Sequence, residues 1–276
     1  MTRSILITGC SSGIGYDAAH RLHKEGWHVL ATCRKSEDCA RLQSEGLTSF
    51  PLDYADPQSI RDAVAECLSR TGGTLDALFN NGAWGLPGAA EDLPREGLRA
   101  LFEANFFGWH DLTTQVLPTM RAQGHGRVIQ NSSILAFIPF RWRGAYVASK
   151  YALDGMTGCL RLEMADTPLH FILIEPGPIT TKIRENSVPN FERWIDWEAS
   201  PRVEQYRDEL MKRLYGTPPP MRFELPASAV TDVLIKALES PRPRARYRVT
   251  RPTKFMALAR RLLTTRALDR LILKNG

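Results

Sequence analysis

The sequence has little of what marks secreted, metal-bound or membrane-spanning chains. Only five cysteines occur among 276 residues, at positions 10, 33, 39, 67 and 159. The number is odd and no two form a C-x-x-C pair, which argues against a disulfide framework or a zinc site. Reduced thiols and a cytoplasmic setting are expected. No apolar run approaches the roughly 18 residues needed to span a bilayer. The opening residues lack the charged lead, apolar stretch and small-residue cleavage site of a secretion signal. Internal repeats, low-complexity tracts and long polar linkers are missing too. Acids are scarce in one place: residues 241–276 hold 11 Lys and Arg against the single acid Asp269. The net charge of +6 therefore belongs to this basic extension, and the residues before it carry a net −4.

What remains is the balance of a packed protein, 43% hydrophobic and 24% charged, sufficient for a real core. Strand and helix signals alternate along it. Residues 4–8 read as a β-branched strand, residues 14–24 as a helix stopped by Gly26, and residues 27–32 as the next strand. A helix over 36–45 and a strand over 48–52 follow. Asp56-Pro57 then offers an N-cap and a first-turn proline for a helix to about Arg70. Further strands are expected at 75–79, 126–131 and 169–174, with helices at about 95–123 and 144–165. Such alternation predicts an α/β fold in which helices cover both faces of a doubly wound parallel sheet, as one domain over residues 1–276. Residues 178–223 break the rhythm. They contain Phe191, Trp194, Trp197, Tyr206 and Tyr215, end at Pro218-Pro219-Pro220, and read as a helical flap over the substrate.

The turn after the first strand is Thr8-Gly9-Cys10-Ser11-Ser12-Gly13-Ile14-Gly15. Glycines allow a pyrophosphate close to the backbone, and the helix that follows presents free amides and a positive dipole end. The spacing T-G-x-x-x-G-x-G resembles the classical short-chain dehydrogenases/reductases, and four later motifs agree. Asn80-Asn81-Gly82-Ala83 stands where the family has N-N-A-G, with the last two residues exchanged. Asn105 lies in the following helix, Ser133, Tyr146 and Lys150 match the S…Y-x-x-x-K set, and Pro176-Gly177-Pro178-Ile179-Thr180-Thr181 matches P-G-x-[VI]-x-T. The likeness covers residues 3–181, and Ala104-Asn105-Phe106-Phe107-Gly108 looks like the steroid and retinol branch.

The resemblance implies a Rossmann-type fold and hydride transfer between a nicotinamide dinucleotide and a carbonyl or secondary alcohol. Under it, Tyr146 exchanges the proton of the reacting oxygen, Ser133 hydrogen-bonds that oxygen, Lys150 also holds the nicotinamide ribose, and Asn105 supports a proton relay. The cofactor set would be Gly9, Ser11, Ser12, Gly13, Ile14, Gly15, Asp53, Asn80, Gly82, Tyr146, Lys150, Pro176, Ile179 and Thr181. No metal is required. The family's common assembly is a homodimer or homotetramer through the helices near 95–123 and 144–165.

From the residues themselves, Tyr146 and Lys150 share a helix face at i and i+4. An ammonium within about 4 Å at an effective dielectric of about 20 contributes roughly 4 kcal/mol, enough to lower a phenol by up to about three units. Ser132 competes with Ser133, but the resemblance implies the family's usual 13-residue interval to the tyrosine, which selects Ser133, and Ser132 would point to the opposite side if the strand continues. Asn105 can equally be a buried amide satisfying backbone groups. Thr32-Cys33-Arg34-Lys35 puts no acid at the end of the second strand, so Arg34 favours the 2′-phosphate of NADP(H). Leu52-Asp53-Tyr54 resembles the family's L-D-V site, which implies that Asp53 reads the adenine amino group; otherwise Asp53 caps a loop. Apolar residues between Ser133 and Tyr146 suggest a bulky apolar substrate, with Arg141 and Arg143 at the rim either meeting an anion or solvated. Residues 252–273 alternate apolar and basic side chains. They fit either docking over the cleft or on a second subunit, or a helix on an anionic membrane surface. Nucleic-acid binding has no supporting motif. A non-catalytic NADP(H)-sensing protein of the same fold is the alternative function.

Overall fold

The computed structural model describes residues 2–217 and 222–275. Seven strands, β1 (Ser4–Thr8), β2 (His28–Cys33), β3 (Thr48–Pro51), β4 (Ala77–Asn80), β5 (Gly126–Asn131), β6 (Leu169–Glu175) and β7 (Arg246–Arg248), form one parallel sheet. Their order is β3-β2-β1-β4-β5-β6-β7, with Ile5 paired to both Val29 and Ala77 and Ala77 to Arg127. Chain direction across the sheet reverses between β1 and β4, and a crevice opens there beyond the carboxyl ends of the strands.

The strands are apolar on both faces because helices cover both. On one side Ile5, Ile7, Val29 and Ile129 pack with Ala18 and Leu22 of α1 (Gly13–Lys24) and Val230 and Leu234 of a later helix. On the other, Leu6, Leu30, Leu78 and Val128 meet Ile60 of α3 (Pro57–Arg70), Trp109 and Leu112 of α5 (Gly108–Ala122) and Leu153 of α6 (Gly144–Glu163). The alternation of Ile5, Leu6 and Ile7 between the two cores is the two-residue period of a strand. Between β2 and β3 runs α2 (Ser36–Ser44), and α4 (Arg95–Phe102) enters α5 through one wide π-type turn, Glu103–Phe107. The helix expected over about 95–123 is thus continuous but locally underwound.

Residues 178–223 are largely helical, through α7 (Val188–Trp194), α8 (Val203–Gln205), a π-type turn Tyr206–Met211 and α9 (Lys212–Tyr215). Phe191 and Tyr206, 1% and 0% exposed, are buried with Leu86, Leu101 and Ala145 in a core of their own. The Tyr206 hydroxyl donates to Asp92 at 2.8 Å and accepts from the Ala89 amide at 2.8 Å. Phe191 and Tyr206 thus fasten the segment down, whereas Trp194 and Trp197 border an open pocket and Tyr215 is exposed. Pro218-Pro219-Pro220 lies outside the described residues.

Two elements lie outside the expected series: α10 (Ser228–Glu239), although its buried Val230, Leu234, Ala237 and Leu238 keep helical spacing, and β7. The Arg-Tyr-Arg of β7 carries one apolar residue, so periodicity cannot reveal it. It joins the sheet because Glu175, whose side chain is fully buried, accepts from Arg246 at 2.7 Å and Arg248 at 3.2 Å, with Asp154 also bonded to Arg246. The basic extension therefore starts inside the sheet and continues as α11 (Arg251–Leu262) and α12 (Thr265–Asn275). Ala259 and Leu268 pack on Phe137 and Ile138, and Arg260 donates to the Phe137 carbonyl at 2.5 Å. Their other side leaves Phe255, Leu258, Leu262 and Leu273 57–72% exposed.

Candidate active site

The turn after β1 is tight enough to require its glycines. Gly9 and Gly13 sit at φ of +68° and +61°, a region costly for residues with a Cβ. A Cβ on Gly9 would also stand 2.5 Å from Gly82 Cα, and one on Gly15 would strike the Gly9 carbonyl. Ser12, the N-cap of α1, is extended and contributes no side-chain cap. The first amides of the helix thus keep donors for an anion. Ser11, Ser12 and Gly13 border a cleft of about 400 Å³ with Tyr16, Asp38, Arg41 and Lys182. Ile14 turns inward and packs against the core.

A chain of polar contacts links this turn to α6. Asn81 donates to the Thr8 carbonyl at 2.9 Å, Asn131 donates to Asn81 Oδ1 at 2.7 Å, and Lys150 Nζ donates to the Asn131 carbonyl at 2.8 Å. Thr8 Oγ1 accepts from the Asn81 and Gly82 amides at 2.8 and 3.1 Å. Lys150 is 1% exposed and stands 4.0 Å from the Trp109 ring centroid. Tyr146, one turn earlier on the same face, is half-buried, its ring centroid 5.5 Å from Nζ.

The electrostatics correct the simple expectation for this pair. Burial pushes the Tyr146 phenol up, and the only charge pulling it down is Arg143. Burial also lowers the Lys150 amine from 10.5 to about 7. A desolvated amine near neutrality is only partly charged, so it cannot supply the full attraction of an ammonium. The phenol stays protonated throughout the neutral range.

Ser133 is half-buried and extended, and its Oγ accepts from the Leu135 amide at 3.1 Å, leaving its proton to donate. Ser132 is 4% exposed with an unpartnered hydroxyl. Asn105 is fully buried in the π-type turn, its amide bonded at both ends to the Trp84 backbone at 2.8 and 3.1 Å. Asn80 is likewise fully buried, accepting from Tyr54 at 2.6 Å and donating to Thr113 at 3.1 Å. Both side chains brace the loops that end here. Asp53 Oδ1 accepts from the Ala55 amide at 3.0 Å, a local turn contact. At the end of β2, Cys33 is buried and its thiol is pushed up to about 12, while Arg34 is exposed with no bonded partner among the described residues. The Pro176 carbonyl accepts from Ile134 at 2.7 Å, Ile179 bridges Leu225, and Thr181 Cγ2 lies 3.3 Å from where a Gly13 Cβ would stand. The loop after β6 thereby closes over both the glycine turn and the Ser133 loop. Sequence reasoning missed Tyr54, Asn131, Trp109, Arg41 and Lys182. Their roles come from contacts across separate elements, which no local spacing encodes.

A glycine cradle at the switch point of a parallel sheet, with a tyrosine and lysine on one helix face beside it, defines a dinucleotide-dependent oxidoreductase. A family model described as short chain dehydrogenase matches residues 3–191, and the chain belongs to the short-chain dehydrogenase/reductase family. It is 38% identical over 272 residues to the uncharacterized oxidoreductase YbbO of Escherichia coli K12, covering 99% of this chain and 94% of that one. It is 35% identical over 190 residues to human retinol dehydrogenase 8, covering 65% and 60%. A short-chain dehydrogenase from Burkholderia phymatum, solved with NAD, superposes with a TM-score of 0.78 at 20% identity, covering 95% and 92%. The motif texture of the retinol and steroid branch agrees with these relatives.

Proposed function

We propose that the protein transfers hydride between NADP(H) and a carbonyl or secondary alcohol on a largely apolar substrate. The observation that carries this reading is the Tyr146–Lys150 face tied through Asn131 and Asn81 to the glycine turn. When bound, the nicotinamide supplies or accepts the hydride. Gly9, Ser11, Ser12, Gly13, Ile14 and Gly15 would hold the pyrophosphate, which fits a cradle that a Cβ would fill. Arg34 would pair with the 2′-phosphate, since the neutral Cys33 thiol beside it offers no repelling charge. Asp53 would meet the adenine, Asn80 and Gly82 would shape the floor, and Pro176, Ile179 and Thr181 would fix the carboxamide.

In the reduction direction Tyr146, protonated because it is buried, donates its proton to the carbonyl oxygen, and Ser133 donates a hydrogen bond to the same oxygen. Lys150 holds the ribose and steadies the phenolate that results. Asn105 keeps the wide turn open, so that displaced main-chain carbonyls can join a proton relay. The test is Tyr146→Phe, screened against ketones, aldehydes, retinoids and steroids with NADPH. Turnover is expected to drop about 10²- to 10⁴-fold with NADPH affinity unchanged. Undiminished turnover would remove Tyr146 as the acid.

We also infer a cytoplasmic homodimer or homotetramer. Phe107 and Leu162, on the helices expected to pair, are 50% and 72% exposed, and a monomeric mass by light scattering would refute the pairing. Among the described residues no helix is long and apolar enough to cross a membrane. The outward apolar side of α11 and α12, bordered by Arg251, Lys254, Arg261 and Arg270, suits peripheral contact with anionic lipid.

A further inference from the structure

The cleft beside the glycine turn has a second wall that no motif residue supplies. Ser11, Ser12 and Gly13 border the cleft on the side of α1, while Asp38 and Arg41 of α2 border it as well, with Tyr16 and Lys182 completing the lining. Helix α2 follows directly on β2, at whose end a dinucleotide fold reads the 2′ position of the adenosine ribose. This wall therefore adjoins the place where NAD and NADP differ.

Arg41 is fixed there by contacts from separate parts of the chain. Its Nη2 donates to the Ser11 carbonyl at 2.7 Å, its Nη1 donates to Glu45 at 3.0 Å, and its guanidinium carbon lies 5.4 Å from the Tyr16 ring centroid. Glu45 lies in turn 2.8 Å from His20 Nε2, and His20 packs on Tyr16 at 4.3 Å between ring centroids. A guanidinium carries five N–H donors, so the two bonds to Ser11 and Glu45 leave others for a ligand. Arg41 is half-buried and opens onto the cleft, where an entering phosphate can reach it. Arg34 differs in being exposed with no bonded partner among the described residues. A ligand must order Arg34, whereas Arg41 is already held in place, and binding costs less where the receiving group is preorganised.

The same residue decides what the cleft repels. Asp38, three residues earlier on α2, stands 3.6 Å from Arg41 Nη2. Left bare, a carboxylate in this wall would oppose a phosphate and accept from a hydroxyl, which favours the dinucleotide without the phosphate. Arg41 covers that charge. We propose that Arg41 is a cofactor-specificity residue that takes the 2′-phosphate of NADP(H) from a fixed position, alongside Arg34, while masking Asp38. The inference rests on the hydride-transfer reading for the presence of a dinucleotide and deepens it by naming a second determinant of which one is held.

Isothermal titration of the full-length protein with NADPH, NADH, 2′,5′-ADP and 5′-AMP tests it without turnover. Arg41→Gln is expected to weaken NADPH and 2′,5′-ADP by about tenfold and to leave NADH and 5′-AMP within about twofold of the parent. Arg41→Lys, which keeps the charge but not the fork, should keep part of the affinity for the phosphate. Adding Asp38→Asn to Arg41→Gln should recover part of the loss, because the unmasked acid is then gone. An arginine that only braces the glycine turn would weaken both dinucleotides alike, so an unchanged ratio of NADPH to NADH affinity in Arg41→Gln overturns the proposal. A parent that binds neither dinucleotide overturns both this inference and the reading beneath it. If the ratio shifts as expected while no ketone, aldehyde, retinoid or steroid is reduced with NADPH, the specificity residue stands and the hydride-transfer reading is what fails.

Discussion

Lys150→Met offers a measurement in which stability and chemistry move in opposite directions. Folding lowers the amine from 10.5 to about 7, so between those values the native state holds fewer protons than the unfolded chain. Stability from this site therefore rises with pH across that window, and below about 7 the full penalty of a buried ammonium applies. At about 1.36 kcal/mol per unit the window amounts to roughly 5 kcal/mol. Methionine keeps the volume and removes the charge. It also gives up the bond to the Asn131 carbonyl, a loss of about 1 kcal/mol at any pH, and the cation–π contact with Trp109, a loss only where the amine is charged. Near pH 6 the terms nearly balance or favour the variant, whereas near pH 10 only the lost hydrogen bond remains. In thermal melts the variant should lie level with or above the parent at pH 6 and a few degrees below it at pH 10, at about 2–4 °C per kcal/mol. Turnover should be lost at both. Parallel melting curves across this range would refute a desolvated amine at Lys150.

Other outcomes follow from the same geometry. Arg34→Ala should weaken NADPH by about tenfold or more and leave NADH nearly untouched, because an exposed guanidinium can meet only the extra phosphate; an unchanged ratio of dissociation constants removes Arg34 from cofactor choice. Ser133→Ala should cut kcat by about 10-fold or more, while Ser132→Ala, which deletes a buried unpartnered hydroxyl, should leave kcat near the parent value. The reverse ranking would transfer the role to Ser132. Removal of residues 250–276 should reduce sedimentation with vesicles containing phosphatidylserine but not with neutral vesicles, and equal sedimentation before and after removal would exclude lipid contact through α11 and α12.

The alternation of strands and helices was legible because each central strand of this sheet is buried on both faces and each covering helix on one. Such burial leaves its period in the sequence, as Ile5, Leu6 and Ile7 illustrate by reaching two different cores. The motif residues were legible for a related reason. Parallel strands all deliver their carboxyl ends to one edge, so the motif residues Thr8, Asn81 and Ser133 arrive together although far apart in the chain. What the sequence could not display was how polar side chains are occupied. Asn80 and Asn105 match a motif, yet their amides are bonded internally. Phe191 and Tyr206, which looked like a substrate wall, are packed away. β7 had no period to show, since it is held by a buried carboxylate on another strand.

Charge shows the same division most sharply. A count puts the cations in the basic extension, but Arg246 and Arg248 are paired with Glu175, and Arg246 with Asp154 as well. Arg143 and Arg184, drawn from the part of the chain with a net negative charge, pair with no acid among the described residues, and neither does the exposed Arg34. Ion pairing takes up Arg246 and Arg248, while the exposed Arg251, Lys254, Arg261 and Arg270 of the same extension pair with no acid among the described residues. The charge left open to a ligand thus follows from which basic side chains folding keeps away from carboxylates, not from their count.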